Sequence, residues 1–282
     1  MEKYPYIVKH QAVLSTLEDS QGERCDKAFL DDLASSLPPM YPIGREHDMA
    51  LDVIGYMENL RIEPIPDHPG EWMLIVDMHL TAEDVLRAAI GGFSYGMTVP
   101  YKKNHDEPFG GIFFPYPYYN DAGLVDAVLK TAVPIAVGKW RKKAHAPGNI
   151  ALIASFVFFV LGPLWKNVFD ERVQPFLERA IEACRNLGKP EMAFDLGLEV
   201  ADAQNRRVQL YFVPDRKLNF DTLAPDLIKN GVERVATFLE SDPDATRKGA
   251  SLIKLYYDGH EKGYRIFFVQ FKDGNFQSYI DS

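Results

Sequence analysis

Apolar and polar residues change period along this chain, and each change marks an element. Residues 7–17 mix β-branched, apolar and polar positions and run into Asp19, Ser20, Gln21 and Gly22, the pattern of a strand closed by a turn. Residues 27–37 place Phe29, Leu30, Leu33 and Leu37 at helical spacing, and Pro38 and Pro39 stop that helix. Residues 53–62 and 72–80 read as strands joined by a link rich in Pro, Asp and Gly. Thr81 can cap a further helix with Asp84 in its first turn, and Gly91 and Gly92 end it. Residues 93–99 and 110–119 then read as extended, the second run rich in aromatics and interrupted by Pro115 and Pro117.

The pattern is more apolar in the middle of the chain. Residues 123–138 have helical character, and Trp140, Arg141, Lys142 and Lys143 follow as a compact basic patch. No charge occurs from Ala146 to Trp165. At ~1.5 Å rise per residue, such a segment reaches across a ~30 Å hydrocarbon core. Pro147, Gly148, Gly162 and Pro163 trim its best helical part to a length that also suits a buried helix, so the sequence leaves a membrane span and a core helix both open. For a span, the basic residues ahead of it would keep the N-terminal part cytoplasmic. A simple single span would then put the C-terminal domain outside.

Residues 169–187 follow as an amphipathic helix with Val173, Phe176, Leu177, Ile181 and Cys184 on one stripe. Strands at 193–200 and 208–213, a helix at 221–239, and strands at 251–257 and 264–271 complete the chain. The reading is an α+β chain in three parts. Residues 1–122 form a β-rich, barrel-like domain, 123–187 a helical segment containing the apolar helix 146–165, and 188–282 a small α+β domain.

Composition narrows the function classes. Of 282 residues, 46% are hydrophobic, enough for a sizeable core, and the net charge of −9 disfavours nucleic acid, whose phosphates need a basic surface. Cys25 and Cys184 stand alone, without the spacing of a disulfide framework or a zinc site. No phosphate-binding glycine loop occurs, and no metal or other cofactor is expected. The first residues lack the basic start and apolar core of a signal peptide, so the N-terminal region is expected in the cytoplasm.

Two positions carry candidate chemistry. His47, followed by Asp48, stands just before the strand that opens at Val53, where a loop-to-strand junction can hold an imidazole at a cleft edge. Ser94 lies between Gly91, Gly92 and Gly96, small neighbours that let a substrate backbone approach its hydroxyl. The order of short motifs around this pair then becomes informative. Asp19, Gly22 and Glu23 form a turn after the opening strand, Pro42 precedes His47 and Asp48, and Ile54 and Gly55 start the next strand. A helix ends in Gly91, Ser94, Gly96 and Met97.

In these motifs the first ~125 residues resemble the prohead serine proteases of tailed phages, which share a fold and a His/Ser pair with the herpesvirus assemblin proteases. The resemblance implies a protein substrate and an acyl-enzyme mechanism. Ser94 attacks a peptide carbonyl, His47 moves the proton, and backbone amides near Gly96 stabilise the oxyanion. The family's third member lies about two dozen positions after the serine, where this chain offers Asp121, displaced, with His105 as the alternative. The rival reading is a catalytically silent scaffold or sensor on the same fold, anchored at a membrane if 146–165 spans one.

Overall fold

The computed structural model describes residues 4–18, 22, 24–44, 53–82, 85, 96–103, 106, 110–115, 120–130, 134–142, 150–157, 167, 169–185, 192–215 and 219–279. Two compact units emerge. The first comprises Met1–Gly96, Lys142–Ala146 and Asp273–Asn275, and the second Met97–Arg141, Pro147–Lys272 and Phe276–Ser282. The first division along the chain therefore falls between Gly96 and Met97, whereas the sequence reading ended its first domain at 122.

The first unit is built on four antiparallel strands in the order β1-β4-β3-β2: β1 (Tyr6–Ser15), β2 (Tyr41–Ile43), β3 (Gly55–Pro64) and β4 (Trp72–Leu80). Alternation along β4 decides which side is apolar, because successive side chains of a strand point to opposite faces. Leu74, Val76, Met78 and Leu80 are all buried. Leu74 joins Leu14 and Leu30 in one cluster, while Val76, Met78 and Leu80 pack with Val8, Ile43 and Met57 in another. Helix α1 (Lys27–Ser36) supplies Leu30. Asp26 caps it by accepting from Phe29 N at 2.8 Å, and the helix stops before Pro38, where the sequence predicts its end. The next predicted helix begins where expected, with Val85 N donating to Thr81 O at 3.1 Å.

Gly55 shows why one motif position must lack a side chain. A Cβ there would lie 2.0 Å from the backbone oxygen of His79 across the β3–β4 pair. Backbone cannot swing aside as a flexible side chain can, so the strands would have to part. Gly55→Ala is expected to destabilise the first unit by at least the roughly 1–3 kcal/mol typical of overpacking, read as a fall in the urea midpoint. A midpoint equal to wild type would show that this close approach is absent in solution.

The second unit holds nine strands in the order β13-β12-β11-β10-β9-β8-β6-β7-β5. They are β5 (Gly96–Lys103), β6 (Gly110–Pro115), β7 (Ile135–Lys142), β8 (Ile150–Val157), β9 (Met192–Ala201), β10 (Arg207–Val213), β11 (Ala250–Asp258), β12 (Gly263–Phe271) and β13 (Phe276–Ser278). Three strand–helix–strand units return in parallel to a neighbouring position. β6 and β7 flank α2 (Ala122–Leu129), β8 and β9 flank α3 (Gln174–Arg185), and β10 and β11 flank both a short α4 (Asn219–Thr222) and α5 (Pro225–Ser241). A π-helical turn at Phe169–Val173 leads into α3, and α6 (Pro243–Lys248) follows α5.

One core joins these elements. Leu124 and Val128 of α2, Phe176 and Leu177 of α3, and Ile228, Val232 and Val235 of α5 meet Leu198, Leu210, Phe212 and Ile253 of the sheet. The spacing of Ile228, Val232, Val235 and Leu239 places them on one helical stripe, and Pro225 starts the helix where its missing N–H costs nothing. Gly231 lets α5 approach the sheet. A Cβ at this position would stand 2.6 Å from the Phe212 ring and 3.2 Å from Tyr264 Cβ.

The structure differs from several expectations. The sheets in the described residues are open, and no closed barrel forms. The described part of the apolar stretch 146–165 is strand β8, paired antiparallel with β6 and parallel with β9, and is not a helix. Its β-branched and aromatic residues suit a central strand, which reads as a continuous apolar run when both faces are covered. Among the described residues of 123–138, those through Leu129 are helical and those from Ile135 belong to β7. Among the described residues no helix is long and apolar enough to cross a membrane. The parallel β8–β9 pair also ties the expected C-terminal domain 188–282 into the same sheet as the segment before it.

Candidate functional site

The two principal candidates, Ser94 and His47, lie outside the described residues, as does His105. Their flanks are described. Residue 47 falls between β2, which ends at Ile43, and β3, which opens at Gly55. Ser94 comes two residues before Gly96, the first residue of β5, and β5 is the end strand in the order of the nine-stranded sheet.

Asp121 has a clear local role. It is the N-cap of α2, with Oδ1 accepting from Leu124 N at 3.1 Å while its carbonyl accepts from Val125 N at 3.0 Å. The free amides of a helix's first turn need such an acceptor, and the carboxylate's charge suits the positive end of the helix dipole. Replacing Asp121 by Ala is expected to cost about 0.5–2 kcal/mol of stability, and Asn, an equally good cap, should restore most of it. The peptidase activity that the resemblance implies would separate capping from catalysis. If Asp121 only caps, the Asn variant keeps wild-type activity, whereas a residue orienting an imidazole would lose about 10⁴-fold on that change.

Sequence reasoning passed over a polar network on the four-stranded sheet. Asp77, on the central strand β4, accepts from His10 N at 3.0 Å and Asn59 Nδ2 at 3.2 Å, with Arg61 Nη1 3.6 Å away. His10 and Asn59 both have left-handed backbones, φ 59° and 56°, at irregularities in β1 and β3 that flank β4 on either side. Such a conformation is uncommon for a side-chain-bearing residue, so one carboxylate pins two strained bulges. Arg61 extends the network, donating to Glu63 at 2.8 Å and meeting His10 Nδ1 at 3.0 Å. The signal for this network was the bare alternation of β3 and β4, which places Glu58, Asp77 and His79 on the face opposite Met78 and Leu80.

His79 is satisfied within that face. Its Nε2 lies 2.8 Å from Glu58 Oε1, and its ring stacks on Tyr56 at 4.3 Å and 9°. Neither member of the pair carries a hydroxyl or thiol nucleophile. Nor do the described residues contain a group of three or more His, Cys, Asp or Glu side chains placed to hold a metal ion. No known protein family, curated protein or solved structure matches the chain. Any functional argument therefore rests on the residues themselves.

Asp77 is one of several described carboxyls with a lowered pKa. The amide of His10, then the Asn59 amide and the Arg61 guanidinium, hold its carboxyl below the usual range against the opposing effect of burial. A carboxyl with a lowered folded pKa stabilises the fold above its unfolded pKa, and that contribution is lost as pH falls through the folded value. Asp77→Asn is thus expected to be less stable than wild type at pH 7, with the gap closing as the pH drops below about 4, the unfolded carboxyl range. Thermal melts at the two pH values check this. A gap of constant size would remove the carboxylate's charge from the account.

Proposed function

We propose that the chain is a serine endopeptidase in which Ser94 is the nucleophile and His47 the base, acting on protein substrates through an acyl-enzyme. The supporting observation is the order of elements around the two residues. An opening strand, a short helix, the β2–β3 connection bearing His47, two antiparallel strands, a helical turn and then Ser94 ahead of β5 follow the order in which the motifs resemble those of prohead proteases. Gly55, whose missing side chain lets β3 lie against β4, is a motif position with a physical reason to be glycine. Intact-mass measurement after treatment with a fluorophosphonate probe tests the proposal. One adduct on wild type and none on Ser94→Ala supports it, and equal labelling of the two rejects Ser94.

A non-catalytic interaction protein is the second reading, favoured by two observations. The Asp121 carboxylate is occupied as a helix cap, and the strand that follows Ser94 belongs to the nine-stranded sheet, not to the four-stranded one that β2 and β3 build. On this reading the wild-type protein stays unlabelled and intact. Membrane anchoring adds to neither proposal a helix among the described residues, because the apolar segment contributes strand β8.

A further inference from the structure

We draw no further inference here: the strongest candidate, the exposed pair Tyr6 and Ile7 on strand β1 at the edge of the four-stranded sheet, is an apolar patch beside a bulged edge, and nothing in the structure shows what covers it.

Discussion

Ser94→Ala is expected to abolish fluorophosphonate labelling and to lower peptide hydrolysis by at least about 10³-fold, with His47→Ala doing the same. The size follows from the chemistry. A serine hydroxyl is a poor nucleophile until a base removes its proton as the carbonyl is attacked, so losing either partner removes the same step. Two residues acting as one unit are strongly non-additive. The double variant should therefore be no slower than the worse single one. Thermal melts of the three variants accompany the kinetics, because a variant that melts with wild type has lost chemistry and not its fold. If all three variants match wild type in labelling and hydrolysis, the peptidase reading falls and the interaction reading takes its place.

The largest effect on stability is expected from Phe212→Ala. The Phe212 ring is fully buried on β10, meets Tyr264 edge-on at 4.9 Å and 86°, and lies beneath the gap left by Gly231 on α5. Truncation removes the ring's transfer free energy and leaves a cavity that neighbours on both layers must hold open. Helix α5 cannot simply sink into it, since Ile228, Val232 and Val235 already pack on the same core. The expected cost is about 3–5 kcal/mol, which lowers the melting temperature by on the order of 10 °C for a unit of this size. Calorimetry of the purified variant reads this directly. A loss under about 1 kcal/mol would mean that the helix layer does not close over the sheet at this point.

Much of the fold was legible because the relevant signals are local. The helical spacing in 27–37, the proline stop after it and the helical pattern in 221–239 each need only a few neighbouring residues to act, and helices form at Lys27–Ser36 and Pro225–Ser241. The Asp258–Gly259 and Asp273–Gly274 pairs are likewise local turn signals, the first at the end of β11 and the second between β12 and β13. Asp258 illustrates why. Its carboxylate accepts from His260 N at 2.8 Å and from Arg265 at 3.1 Å, closing the β11–β12 hairpin from within a few residues.

The misread segment shows the opposite case. The run from Ile150 to Val157 has no charge and no alternation, so period alone cannot distinguish a buried helix from a central strand. What decides it is β6 on one side and β9 on the other, which take up its backbone hydrogen bonds. Strand β9 begins 35 residues after β8 ends, a separation that no local window spans. Asp77 was hidden for a similar reason. Its partners His10, Asn59 and Arg61 come from two other strands, and only the β1-β4-β3 order brings them to one carboxylate.

The sequence by itself determined the local elements, their caps and turns, and the candidacy of Ser94 and His47, because backbone preference, side-chain period and motif order are properties of short stretches. Tertiary structure decided that the described part of the apolar segment is a strand and that the described sheets stay open. Each of these depends on which distant groups satisfy a backbone or a charge, and that is fixed only when the chain has folded.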